Sequence, residues 1–404
     1  MINSTPDIRN NVPPDANVGQ GNEARSGLSD EAIRLLGLYE AKMTVKDGKL
    51  SGKLGEMYNA LGRRFKLVSA ESVSLNSMPK YMNLARNFRL NRAIWRSASS
   101  LNPTAFHLRS AQAEHKLQQW AGQFDVIVQL HTLQSPGDLA KRRPFVLVTD
   151  NTFMNSLNYW PEWVPLTDKM QQAWLELESE VYRSASYVFT WSEFTRQSFI
   201  RDYHIPADRV VAVGGGANLI AGDISSKRYD TQIAVFVGYE FERKGGFYIL
   251  ESWKQVHQHL PDAKLYIIGP YEPLAEPIPG VHWLGRIYDR NVLRQRLEES
   301  SVFVMPSLFE PYGHAFTEAM GMGLPVIAAN HCAMPEIIHH NESGLLVPPR
   351  EVDALADALI ELLSNPERAQ AMGHRAHHDT LHAGTWDDVV SRMAPYIRQV
   401  VKSN

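Results

Sequence analysis

The chain has 404 residues, 44% apolar and 21% charged, the balance of an ordinary globular protein and too much length for a single α/β domain. Lys and Arg number 41 against 44 Asp and Glu, so overall charge points to no polyanion and no nucleic-acid partner is expected. Cys332 is the single cysteine, which excludes an intrachain disulfide and suits a reducing, cytoplasmic setting; no apolar run nears the roughly 20 residues that cross a bilayer.

In chain order, residues 1–29 are rich in Asn, Pro, Gly and Asp and read as a disordered leader rather than a signal peptide. Asp30–Met43 and Lys53–Leu61 have helical periodicity, and Phe65–Ser69 is the first predicted strand. Further strands are predicted at Asp125–Leu130, Pro144–Thr149, Ser186–Thr190 and Arg209–Val213, with helices at Met170–Arg183 and Glu193–Tyr203. Gly214–Gly216 and the polar run Asp223–Thr231 interrupt the alternation. Gly214–Gly216 opens no helix, so it reads as a hinge rather than a dinucleotide fingerprint.

A second series follows, with strands at Ile233–Val237, Lys264–Ile268, His282–Leu284, Ser301–Met305, Pro325–Ala328 and Gly344–Val347. Its helices fall near Gly246–His259, Arg290–Glu299, His314–Met322 and Val352–Leu363. The expected architecture is α/β: two doubly wound Rossmann-like domains, 30–218 and 219–385, facing across a cleft. Residues 386–404 are predicted to form a last helix that packs back on the N-terminal domain.

The chemistry concentrates in Pro306–Ala329, PSLFEPYGHAFTEAMGMGLPVIAA. An apolar strand ends at Pro306, and a loop with Glu310, Pro311 and Gly313 leads into a helix starting near His314. The free amides of a helix start attract an anion. Two carboxylates, Glu310 and Glu318, would spoil a bare phosphate site, but they suit a phosphate ligand with hydroxyl-rich groups at both ends. The second segment is Phe236–Gly246, FVGYEFERKGG: after Gly238 it carries Arg243 and Lys244, two cations to neutralise a diphosphate across a crevice from the Glu310 loop.

Glu310, seven residues, then Glu318, Ala319, Gly323, Pro325 and Val326 resemble the signature of the family 4 retaining glycosyltransferases of the GT-B fold; Pro335–Ile338, Asn341 and Gly344–Pro348 match later elements. The resemblance covers about 150 C-terminal residues. It implies a hexose transferred with retention from a UDP- or GDP-sugar to an acceptor hydroxyl on a glycan, lipid or small molecule, without metal or cofactor. By the same resemblance Glu310 holds the donor sugar and Glu318 the ribose, while the amides of Gly313, His314, Ala315 and Phe316 approach sugar and diphosphate.

In the N-terminal half, Glu178 with Arg183–Phe189 and Ser192 resembles the family more loosely. Three features depart from its pattern. Tyr239, not arginine, follows Gly238, with Arg243 as a substitute guanidinium. Asp150 stands where the family has a histidine facing the reacting sugar. Ser69–Ser77, after the first predicted strand, has no glycine.

Other residues carry weaker signals. His131 ends a predicted strand and would face the cleft. His374, His377, His378 and His382 read as surface histidines rather than metal ligands, and no Asp-x-Asp motif occurs. No strand leads into Gly-x-Gly-x-x-Gly, against a nicotinamide oxidoreductase, whereas Asp150 keeps open a catalytically silent GT-B protein that binds a nucleotide sugar or a partner. Lys80–Arg96 is basic and aromatic, with no acidic residue between Glu71 and Glu114. Tyr81, Leu84, Phe88 and Trp95 share helical spacing, which suits either a core-facing helix or contact with an anionic membrane at the cell's inner face.

Overall fold

A computed structural model describes residues 29–40, 44–46, 49–51, 55–75, 77–138 and 143–403; residues 1–28 of the expected leader lie outside them. The described chain divides into two compact units, 29–214 with 386–403, and 215–385.

In the first unit the strands are β1 (Arg34–Tyr39), the short pair β2 (Thr44–Lys46) and β3 (Lys49–Ser51), β4 (Lys66–Ser72), β5 (Val126–Leu130), β6 (Phe145–Thr149), β7 (Tyr187–Thr190) and β8 (Val210–Ala212). Among the described residues its parallel sheet has the order β4-β1-β5-β6-β7-β8. The second unit contributes β9 (Ile233–Val237), β10 (Lys264–Ile268), β11 (Val281–Gly285), β12 (Val302–Met305), β13 (Val326–Ala329) and β14 (Gly344–Val347), all parallel, in the order β11-β10-β9-β12-β13-β14. Chain direction through the sheet reverses between β1 and β5 in one unit and between β9 and β12 in the other. Ligands of doubly wound sheets bind beyond the carboxyl ends of strands at such reversals.

Within the predicted helix Asp30–Met43, the described residues 30–40 are not helical over the run. A single turn, Asp30–Ala32, is followed by β1, whose Leu35, Leu36, Leu38 and Tyr39 are all buried. A central parallel strand is covered on both faces, so its apolar run has no period of two and imitates a helix. Gly37 makes the cover possible, because a Cβ there would stand 2.5 Å from the Tyr58 ring. The Tyr58 hydroxyl lies 3.1 Å from the Leu38 carbonyl and 3.2 Å from that of Val128, pinning helix Gly55–Arg64 across β1 and β5. The glycine-free Ser69–Ser77 therefore follows the second strand of this sheet, not the first. The segment after β1 carries Gly48 and Gly52, outside the described residues, and Gly55.

The last helix, Trp386–Lys402, belongs to the first unit. Arg392 donates to the Val213 carbonyl at 2.7 Å, Arg398 reaches Asp30 at 2.7 Å, and Arg63 pairs with Asp387 at 2.9 Å. Tyr396 packs edge-on against Tyr187 and Phe189.

In the second unit the turn after β9 is set by Gly245, which takes φ +78 and begins helix Gly246–His259. A Cβ at Gly245 would lie 2.1 Å from the Pro306 carbonyl oxygen at the end of β12. Gly245→Ala should therefore cost about 2 kcal/mol or more, from the left-handed backbone and the backbone clash together. Gly222→Ala, with nothing within 4 Å and an ordinary φ, is the matched control and should be neutral or slightly stabilising. Denaturant titration of both variants measures the difference.

Candidate active site

β9 and β12 flank the reversal of the second sheet, and their following loops bring four charged side chains together. Gly238 follows β9, and a Cβ there would stand 2.5 Å from Lys244 Cδ, so glycine lets the lysine stem cross the strand end. Lys244 Nζ lies 3.2 Å from Glu310 Oε2 and 3.3 Å from Met305 Sδ. Arg243 donates to the Phe309 carbonyl at 2.5 Å, to the same Glu310 oxygen at 3.3 Å, and to Glu240 at 2.7 Å. The side chains of Arg243, Lys244 and Glu310 are 5%, 15% and 10% exposed. Two cations meet this carboxylate where it is withdrawn from water, and such pairing offsets the cost of burying a charge.

The two cations do not face Glu310 across a crevice, as the sequence had suggested; they touch it. Arg243 is the more deeply held, with its guanidinium on Glu240, the Phe309 carbonyl and Glu310, while Lys244 sits nearer to solvent.

Gly313, at φ +99, starts helix His314–Gly321. A Cβ there would meet the Phe316 ring at 2.6 Å and Glu310 Cγ at 2.9 Å, so this glycine holds the glutamate loop against the helix start. His314 and Ala315 occupy the first helical positions. Phe316 departs from expectation: its amide donates to the Gly313 carbonyl at 3.0 Å, and its ring is fully buried against Phe303. It is a core residue, and its N–H is already used. Glu318, on the same helix, lies 3.7 Å from the Arg290 guanidinium.

One feature escaped the sequence reading. Arg286, just past β11, stacks over the rings of Tyr239 (4.5 Å), just past β9, and Tyr271 (4.7 Å), just past β10; the Tyr271 and Tyr288 hydroxyls meet at 2.5 Å. Arg286, rather than Arg243, is thus the guanidinium beside the Gly238–Tyr239 step. Its signal was a charged or aromatic residue within three positions of the end of each of three neighbouring strands.

Asp150 belongs to the first unit, with the other predicted site residues in the second. It follows β6, and His131 follows β5 with φ +58, in the left-handed region. His131 Nδ1 lies 3.5 Å from Asp150 Oδ1 and 3.4 Å from Thr149 Oγ1. Both line a cavity of about 300 Å³ whose walls include Asn151, Trp163, Trp174 and Glu178. Glu178 accepts from the Tyr203 hydroxyl and, at 3.4 Å, from the Phe153 amide.

Of the four C-terminal histidines, His377 is not on the surface: it is buried, with Nε2 2.9 Å from the Ala221 carbonyl, on helix Pro366–Ala383. Among the described residues no group of three or more His, Cys, Asp or Glu could hold a metal, and no helix is long and apolar enough to cross a membrane.

Residues 231–365 match the family model described as Glycosyl transferases group 1. The GDP-mannose-dependent alpha-(1-6)-phosphatidylinositol monomannoside mannosyltransferase of Mycobacterium tuberculosis is 38% identical over 106 residues, 24% of this chain and 28% of that protein. Alpha-maltose-1-phosphate synthase of Mycolicibacterium smegmatis is 27% identical over 188 residues, 42% of this chain and 48% of its own. The chain thus spans less than half the length of these relatives. Among solved structures, sucrose-phosphate synthase from Thermosynechococcus elongatus superposes with a TM-score of 0.64 at 18% identity, covering 92% of this chain and all of that one. The Anabaena protein HepE in complex with UDP gives 0.61 at 17%, covering 91% and all. These likenesses show the GT-B fold of two doubly wound α/β domains.

Burial pushes the Glu178 carboxyl up to about 7, against hydrogen bonds that favour the anion. Between its ordinary value of 4.5 and about 7 the native state holds a proton that the unfolded chain has released, so stability falls as pH rises through that window and is level above it. Glu178→Gln removes the titration. The stability of the variant relative to wild type, read from its melting temperature, should climb from pH 5 to pH 7 and then stay constant, a change of at most about 3 kcal/mol. Scanning calorimetry from pH 4.5 to 8.5 checks this.

Proposed function

We propose that this chain, whose segment 231–365 is a glycosyl transferases group 1 domain, transfers a hexose with retention from a nucleoside-diphosphate sugar to an acceptor hydroxyl, without a metal. The observation that carries the reading is the Lys244–Glu310–Arg243 cluster at the reversal between β9 and β12, next to the start of helix His314–Gly321. A hydroxyl-bearing sugar, a diphosphate and a ribose need a carboxylate, a cation beside the positive end of a helix, and a second carboxylate, in that order. Glu310, then Lys244 with the His314 and Ala315 amides, then Glu318 supply this series.

In the proposed step the bond between the anomeric carbon and the diphosphate oxygen breaks, and the acceptor oxygen bonds to that carbon on the same face. The acceptor proton passes to the departing diphosphate. Lys244 offsets the charge that grows on the leaving group. Arg243, held below, acts by orienting Glu310. The exposed Tyr271–Arg286–Tyr239 stack suits the flat face of a nucleobase.

A catalytically silent binder is the second reading, because Asp150 stands where the resemblance expects a histidine. His131, 3.5 Å from Asp150, supports the enzyme instead, since the neighbouring strand brings an imidazole to the same place. A thermal-shift series with UDP, GDP and their hexose conjugates, followed by donor hydrolysis without acceptor, separates the two: a silent binder shifts but does not hydrolyse.

Glu318→Ala should weaken binding of the free nucleoside diphosphate at least tenfold, by loss of a ribose contact to a charged acceptor worth about 1.5–3 kcal/mol. Glu310→Ala should cut donor turnover while nucleoside diphosphate binding holds or tightens, because a carboxylate leaves the side of Lys244. Isothermal titration of both variants tests the split; equal loss of nucleotide binding would refute it.

A further inference from the structure

Helix Ser77–Arg86, in the first unit, is turned inside out. Met78, Tyr81, Met82 and Ala85 fall at i, i+3, i+4 and i+7, the spacing of a face that normally packs on a core. Met78, Tyr81 and Met82 are instead 69%, 66% and 48% exposed, and Ala85 is exposed beside them. The buried member is polar. Asn83 donates to the Ser99 carbonyl at 2.6 Å and accepts from the Asn102 amide at 3.2 Å. Asn102 in turn caps helix Pro103–Gln119 through the Ala105 amide. A satisfied network of buried amides therefore fixes which side faces outward.

The turn after the helix continues the apolar surface, with Phe88 56% and Leu90 95% exposed. It is held by Trp95 of helix Arg92–Ser100, whose indole N–H donates to the Leu84 carbonyl at 2.8 Å while its ring meets Phe88 edge-on. The expected single apolar stripe through Tyr81, Leu84, Phe88 and Trp95 is thus broken by residues 87–91: Leu84 and Trp95 turn partly inward, Tyr81 and Phe88 outward.

Around these side chains Lys80, Arg86, Arg89, Arg92 and Arg96 are exposed, and no Asp or Glu lies between Glu71 and Glu114. An outward apolar face whose own segment carries exposed cations and no carboxylate matches the anionic headgroup zone above acyl chains. A second copy of the chain would set this cationic border against itself.

We propose that the surface formed by 78–96 docks on an anionic lipid bilayer, with Met78, Tyr81, Met82 and Leu90 entering the interface and the arginines meeting lipid phosphates. The proposal rests on the first unit alone and holds independently of the donor chemistry.

Sedimentation of the full chain with phosphatidylcholine vesicles, and with vesicles also containing 30% (about a third) phosphatidylglycerol, tests it. Wild type should pellet with the anionic vesicles and not the neutral ones, and about 0.5 M salt should remove part of the binding but not all. Arg86→Gln/Arg89→Gln/Arg92→Gln/Arg96→Gln should lower the anionic partition at least about tenfold. Met78→Ser/Tyr81→Ser/Leu90→Ser should lose the salt-resistant fraction while keeping the wild-type melting temperature, since these side chains touch little of the fold. Absence of pelleting with anionic vesicles at low salt overturns the proposal. So does a dimer that the apolar triple variant dissolves while vesicles are ignored, or capture of an acidic protein or RNA in preference to lipid.

Discussion

A single buried carboxylate organises the second unit. Glu310 follows β12, and the cations that neutralise it follow β9, so the ion pairs tie together the two loops on either side of the reversal in strand order. Were Glu310 absent, two cations would stand near each other at the carboxyl end of a parallel sheet, an arrangement that low local dielectric makes costly. With Glu310 present, and Glu240 on the other side of Arg243, the formal charges of the cluster cancel, and the balance changes as soon as an anion arrives. The glycines around it follow from the same constraint. Gly238 yields to the lysine stem, Gly245 to the Pro306 carbonyl, and Gly313 to Glu310 itself, so each gives up a Cβ to bring one of these two loops close.

In the proposed site this packing separates side chains placed to meet a ligand from side chains that hold them. Arg243 has the chemistry of a phosphate binder, but three of its contacts are to the protein's own Glu240, Phe309 carbonyl and Glu310. Lys244 reaches the same carboxylate from the more open side. Substitution of the arginine would act through the position of Glu310, whereas substitution of the lysine would remove charge from the site directly. Phe316 makes the same point at the helix start, because a residue with an amide in the right place has already used it on Gly313.

Much of the second unit was legible in the sequence. Strands such as Ile233–Val237 and Lys264–Ile268, and the helices Gly246–His259 and Arg290–Glu299, stand where period and turn residues put them. Their boundaries are marked by Gly, Pro or an Asp cap, which act locally. The first unit was less legible where tertiary context decides. β1 reads as a helix because burial on both faces erases alternation, and Gly37 within it is explained only by a tyrosine ring from 21 positions on. The Tyr239–Arg286–Tyr271 stack joins residues from three strand ends that no spacing rule connects. His131 and Asp150 were each visible singly; their approach depends on β5 and β6 being neighbours in register, Leu130 beside Val148.

The inverted helix Ser77–Arg86 shows the limit of pattern reading from the other side. Its periodicity is that of an ordinary core helix, and the pattern cannot say which way the apolar face turns. Asn83 decides. Burying an amide without partners would cost more than burying a methionine gains, so the helix can turn its asparagine inward only because Ser99 and Asn102 satisfy it. The same residues that make the inward face comfortable for a polar group leave the outward face apolar, and the absence of acidic residues from 72 to 113 gives that face one sign of charge. Orientation and charge are independent features of the sequence, one set by buried hydrogen bonds and the other by composition. Their agreement on the same surface is stronger than either alone, because random surface variation has no reason to place them together.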